Sequence, residues 1–160
     1  MKKTIVIAAA LATLTTTALA DDLALGCFIR AYDKTHLARH PDQLVTAVKL
    51  RIKRPPPDTG AQYWFDFEAR VRGRNDSLHT SGICNEKAAG LHCFVECDGG
   101  GVDVVNRGDH VMMYLERIRV AACGEELKDD GGGEEVRGGK DDRVFRLDRV
   151  NARACAGMKP

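Results

Sequence analysis

Short runs in which apolar and polar residues alternate place the strongest constraint on how this chain can fold. The clearest run covers residues 63–71, where Phe65 and Phe67 alternate with Asp66 and Glu68. A period of two puts alternate side chains on opposite faces of a β-strand. Runs of the same kind, with glycine- or proline-rich turns between them, recur at residues 48–53, 102–105, 111–115 and 143–149. The pattern predicts an all-β domain, either a small barrel or a sandwich.

Two local features modify this pattern. Residues 32–40 favour one short N-terminal helix, with Asp33 as its cap and Pro41 as its end. The apolar phase of the run at 111–115 then slips by one residue, which predicts a β-bulge or tight turn near Glu116.

The N-terminus carries the pattern of an export signal. Lys2 and Lys3 precede an uncharged, largely apolar stretch, and Ala18-Leu19-Ala20 has the small-x-small pattern of a cleavage site. The apolar stretch is about a dozen residues long, whereas a membrane-spanning helix needs about 20. The sequence therefore predicts a signal peptide at residues 1–20 and a periplasmic or secreted protein.

The remaining residues, 21–160, have the length of a single β domain. Without Lys2 and Lys3, the 24 Lys+Arg become 22 against 23 Asp+Glu, a net charge of −1. Near-neutrality argues against a nucleic-acid partner. No later segment is apolar enough to span a bilayer, so no membrane association is expected after signal cleavage.

Six cysteines follow the predicted signal peptide, and an even number in an exported chain favours disulfides. The alternative is a metal site at Cys93 and Cys97 with His92, but such a site usually needs a second ligand pair. The six are Cys27, Cys84, Cys93, Cys97, Cys123 and Cys155.

Geometry narrows the possible pairings. Cys93 and Cys97 would lie about 13 Å apart along a strand, too far to bond. Cys84 and Cys93 flank a polar turn, which suggests a cross-hairpin bond. Cys27 and Cys155 lie near the two ends of the mature chain and would tie them together, which leaves Cys97 to pair with Cys123.

The sequence contains no strong catalytic motif, so a role other than enzyme is favoured and no cofactor is expected. His36 and His40 would stack on one helix face and could chelate zinc or copper, with Asp33 or a distant carboxylate completing the site. Two ligands do not make a metal site, so surface histidines are the simpler interpretation.

Asp66 and Glu68 share one strand face about 7 Å apart, a spacing that could suit a catalytic carboxylate pair. Arg70 and Arg72 continue that face, so the simpler interpretation is an ordinary charged, solvent-exposed surface. Trp64 begins the same face and is a candidate binding residue.

Residues 125–142 hold eight acidic residues, three basic residues and five glycines, a net charge of −5. This composition predicts a flexible acidic, glycine-rich loop.

Three runs, at residues 34–43, 96–101 and 141–147, resemble segments of uncharacterised small secreted proteins of proteobacteria. The resemblance implies a periplasmic setting. It carries no activity, so no residue inherits a role from it.

The favoured hypothesis is an exported binding or interaction module for an unknown small molecule or protein. The alternatives are a metal-binding protein that uses His36 and His40, and an inhibitor of a periplasmic or host enzyme. A cavity lined by side chains such as Phe65 and Met113 would favour a small apolar ligand, whereas a filled interior would favour a protein partner.

Overall fold

The computed structural model describes residues 24–120 and 134–158. The predicted signal peptide and Cys123 lie outside these residues. Two helices are present in the described part, α1 (Lys34–Arg39) and a 3₁₀ helix (Ala152–Cys155). The strands are β1 (Gly26–Ala31), β2 (Val45–Lys53), β3 (Tyr63–Val71), β4 (Ser77–Lys87), β5 (Gly90–Phe94), β6 (Gly100–Asn106), β7 (His110–Val120), β8 (Glu134–Arg137) and β9 (Val144–Val150).

The strands close into an antiparallel barrel, which confirms the all-β prediction and decides for a barrel over a sandwich. Strands β1 to β7 each pair with the next along the chain. Strand β9 pairs with both β7 and β1 and so closes the sheet. Closure satisfies the edges that an open sheet would leave exposed.

The eighth position of the barrel is shared by two short strands. Strand β6 occupies one edge of β7, so β8 and β9 must both pair along its other edge. Strand β9 pairs with residues 110–114 of β7, and β8 pairs with residues 117–120. Residues 138–143 interrupt this position between the two strands.

Apolar side chains fill the inside of the barrel. The alternation predicted at residues 63–71 is confirmed, because Phe65 and Phe67 point inward and are fully buried. The inward side chains pack in one continuous cluster, as expected for eight strands whose interior is just wide enough for side chains. Its fully buried members include Phe28, Leu50, Leu91, Val104, Met113, Phe145 and Leu147.

The two predicted local features are present. Helix α1 begins after Asp33, whose carboxylate accepts a hydrogen bond of 2.7 Å from the backbone N–H of His36. On β7, Leu115 lies opposite Val102 and Arg117 lies opposite Gly101. Glu116 is therefore the extra residue of a β-bulge, as the slip in apolar phase predicted.

Two of the three predicted disulfides are confirmed. Cys27–Cys155 joins β1 to the 3₁₀ helix, and Cys84–Cys93 joins facing residues of β4 and β5. These bonds are consistent with an oxidising compartment. Cys97 is not a free thiol, and its predicted partner, Cys123, is outside the described residues.

The predicted loop at residues 125–142 extends too far at its C-terminal end. Glu134–Arg137 forms β8, because Val136 alternates with charged neighbours and is buried against the barrel. Asp142 is fully buried. The part of this prediction that concerns residues 125–133 falls outside the described residues.

A search of the described helices for one long and apolar enough to cross a bilayer finds none.

Candidate functional site

The predicted binding residue Trp64 lies on the outer face of β3 and is half-buried. Lys53, its partner across the β2–β3 pair, places its ammonium group 5.8 Å from the centre of the indole ring. This contact is a cation–π interaction at the edge of a charged surface. Trp64 is therefore already partly covered by its neighbours.

The carboxylates that follow Trp64 are buried, so the predicted solvent-exposed surface is wrong. Asp66 is 2% and Glu68 is 8% exposed. Long basic side chains from β2 reach across and cover them, while their own stems pack on the sheet. We call this cluster the covered face; it consists of Lys49, Arg51, Lys53, Asp66 and Glu68.

Every carboxylate of the covered face has a cation beside it. Asp66 is 2.7 Å from Nε of Arg51 and 3.0 Å from Nζ of Lys53. Glu68 is 3.4 Å from Nζ of Lys49. Arg51 also donates a hydrogen bond to the backbone carbonyl of Cys155. Both carboxylates lie on the convex outside of the barrel and are used in structural pairs, so the geometry does not support a catalytic carboxylate pair.

The predicted metal ligands His36 and His40 stack on one face of α1, with ring centres 4.4 Å apart. Tyr32 extends the stack on the other side of His36. His36 Nε2 is 2.9 Å from the side-chain oxygen of Gln43, and His40 Nδ1 is 3.7 Å from Asp141. Across residues 24–120 and 134–158, no group of three or more ligand-type side chains could hold a metal ion.

A buried carboxylate lies beside this helix. Asp142 accepts hydrogen bonds from the backbone N–H groups of Leu44 and Val45, at 2.7 and 3.2 Å. Burial raises the pKa of Asp142 and the charge of Asp141 adds to the effect, although the two backbone hydrogen bonds oppose it. Asp142 thus ties the chain between β8 and β9 to the start of β2.

The side of the barrel opposite the covered face carries an open groove of about 440 Å³. It lies where residues 138–143 interrupt the eighth strand position, next to the bulge of β7. We call it the β7 groove. It is lined mainly by Asp103, Tyr114, Glu116, Gly138, Arg143 and Val144.

Exposed apolar side chains and charged groups meet in this groove. Tyr114 is 41% and Val144 is 47% exposed, and the two residues face each other across β7 and β9. Large apolar side chains exposed side by side in a concavity are typical of binding surfaces. Glu116, the extra residue of the bulge, faces outward, and its side chain is exposed.

Asp103, in one wall of the groove, carries a negative charge that its neighbours stabilise. Asp103 contacts Nζ of Lys87 and Nδ1 of His92, each at 2.7 Å. Burial alone would raise the pKa of Asp103, but these two hydrogen bonds outweigh burial and hold the pKa below its ordinary value. Asp103 is therefore ionised at neutral pH and forms an ion pair with Lys87.

A row of arginines continues along β7 beyond the groove. Ile118 and Val136 point inward, so the residues beside them on β7 and β8 point outward. We call Arg117, Arg119 and Arg137, with Glu135 among them, the arginine row. The β7 groove and the arginine row together form the β7 strip.

Sequence reasoning did not find the β7 strip. The slip in apolar phase located the bulge at Glu116, which was the available signal. The groove also needs the interruption between β8 and β9, and this depends on which strands pair with β7. Comparison of the chain with protein-family models, curated proteins and solved structures finds no match.

Proposed function

We propose that this chain is an exported binding module that docks a partner protein on the outside of its barrel, at the β7 groove. The observation that carries the proposal is the groove itself, in which Tyr114 and Val144 are exposed side by side next to a bulge. Bulges often re-aim side chains beside functional sites.

The packing of the interior supports a protein partner over a small apolar ligand. Three of the inward side chains that could have lined a cavity are fully buried, and a fourth, Leu115, is only 4% exposed. The three are Phe65, Phe67 and Met113. They belong to the single cluster that occupies the barrel. The outer surface is therefore the better candidate for recognition, and an inhibitor of a periplasmic or host enzyme would be one form of such a module.

The proposed location is the periplasm or the extracellular space. The predicted signal peptide and the resemblance to secreted proteins support export, and the two disulfides fit an oxidising compartment. Cell fractionation and mass spectrometry test this point. We expect a periplasmic or secreted chain that begins at Asp21, and a cytoplasmic chain that retains Met1 would contradict it.

Site-specific photo-crosslinking tests the docking surface. The photoreactive amino acid benzoylphenylalanine is placed at Tyr114, or at Arg70 as a matched control. Arg70 is exposed on the outer face of β3, on the far side of the barrel. We expect a discrete protein adduct from position 114 in living cells and none from position 70. No adduct from 114, or equal adducts from both, would overturn the proposal.

A further inference from the structure

The arginine row contains an unfavourable cross-strand pair of like charges. Arg117 on β7 lies directly opposite Arg137 on β8. Like charges in that position destabilise a strand pair. Among the described side chains, Glu135 is the nearest carboxylate, 2.8 Å from Nε of Arg137 and 4.0 Å from Nε of Arg117. One carboxylate thus offsets two guanidinium groups.

The third arginine adds to the excess of positive charge. Arg119 faces Glu135 in the strand register, yet its Nε is buried and has no hydrogen-bond partner among the described residues. Three arginines and one glutamate leave the row with a net charge of +2.

The row and the groove form one continuous surface. The bulge at Glu116 shifts the phase of β7, so that Tyr114, Arg117 and Arg119 all face outward. Tyr114 and Arg119 are five residues apart, which corresponds to about 17 Å along a strand. An extended peptide of about the same number of residues would span this distance.

We infer that the β7 strip binds an extended, acidic segment of the partner that also carries apolar side chains. This inference rests on the proposed function. The carboxylates of the segment would bind the guanidinium groups of the arginine row, because a guanidinium group binds a carboxylate through two paired hydrogen bonds. Its apolar side chains would cover Tyr114 and Val144. A bare polyanion would leave these two side chains exposed, so the surface favours a polypeptide.

Fluorescence anisotropy tests the inference with a labelled decapeptide of alternating glutamate and leucine. Two matched peptides replace every glutamate with glutamine or with lysine. We expect the acidic peptide to bind, the other two to bind at least about tenfold more weakly, and added salt to weaken the acidic complex. Equal binding of the three peptides would overturn the inference, and so would tight binding of polyphosphate without binding of the acidic peptide.

Variants locate the site. Arg137 has a 75% exposed side chain, so Arg137→Glu should leave the fold intact, which thermal melting checks. We expect it to weaken binding of the acidic peptide about tenfold, whereas Arg70→Glu on the far side should leave binding unchanged. Arg137→Gln is the milder second variant and should give a smaller loss. Equal effects at positions 137 and 70 would contradict the assignment.

The two experiments separate the inference from the proposed function. An adduct at position 114 without binding of the acidic peptide would overturn the inference and leave the proposed function in place. Binding of the peptide without any adduct would overturn the proposed function and leave the acidic preference of the arginine row in place.

Discussion

The covered face and the β7 strip lie on opposite sides of the barrel and use the same kinds of side chain. Strands β3 and β7 are four positions apart in a ring of eight. On the covered face, Lys49 lies opposite Glu68 and Arg51 lies opposite Asp66. The strand register itself pairs each acid with a base, and the acids are buried.

On the β7 strip the register pairs an acid with a base only once, where Arg119 lies opposite Glu135. Arg117 lies opposite Arg137, and Tyr114 lies opposite Val144. Among the described side chains of the arginine row, one carboxylate, Glu135, lies among three arginines, and the apolar pair is exposed. Both surfaces are rich in charge, so composition does not distinguish them. Cross-strand register decides which charged surface holds the fold together and which is left open for a partner.

The largest expected effect concerns the disulfide beside the covered face. Cys27–Cys155 closes a loop with a sequence separation of 128, against 9 for Cys84–Cys93. Loop-closure entropy predicts a loss of about 5 kcal/mol for Cys27→Ser with Cys155→Ser, and about 3 kcal/mol for Cys84→Ser with Cys93→Ser. Urea unfolding followed by the fluorescence of Trp64 measures both. A larger loss from the shorter loop would contradict this account.

The covered face should be much more sensitive to loss of a carboxylate than the β7 strip. Asp66→Asn leaves Arg51 and Lys53 without their shared counter-ion, and we expect a loss of about 3 kcal/mol in the free energy of unfolding. The matched change Glu116→Gln should cost about 0.5 kcal/mol or less, because that side chain is exposed. Similar losses in urea unfolding would remove the distinction between the two surfaces.

The buried carboxylate near α1 should give a pH dependence of definite sign. Because the folded-state pKa of Asp142 is raised above 3.8, its contribution to stability is fully present below that value and is lost as the pH rises through the folded pKa. Wild-type protein should therefore lose stability relative to Asp142→Asn as the pH rises above about 4. Urea midpoints measured across this range check the slope, and a rise would contradict it.

Asp103 in the β7 groove should show the opposite slope and the smallest effect. Its folded-state pKa is held below 3.8, so its contribution is present above that value and is lost as the pH falls through the folded pKa. Because Asp103 and its partner Lys87 are partly exposed, we expect the free energy of unfolding to differ by less than about 1 kcal/mol between wild type and Asp103→Asn. The difference should vanish in acid, and one that grows in acid would show that the sign is wrong.

Local features of the fold were predictable because their causes are local. The alternation around Phe65 and Phe67 determines which side chains point inward, and Asp33 and Pro41 bound the short helix. The pairing of Cys84 with Cys93 followed from the turn between them.

The pairing of Cys27 with Cys155, 128 residues apart, was predicted from their places near the two ends of the mature chain, but other features that depend on distant parts of the chain were not predictable. The choice of barrel over sandwich depends on β9 pairing with both β7 and β1. The burial of Asp66 depends on Arg51 and Lys53 reaching it from another strand, which alternation alone does not indicate. The β7 groove needs the bulge at Glu116 and the interruption of the eighth strand position to coincide.

The pairing of β1 with β9 has a consequence for how the molecule folds. It joins the first and last strands of the barrel, so the sheet cannot close until almost the entire domain is available to fold. Contacts this distant in sequence form slowly. Until then β1 remains an open edge that other chains could pair with. The bond between Cys27 and Cys155 also joins the two ends of the domain in sequence. It therefore holds β1 near β9 and opposes reopening of the closed barrel.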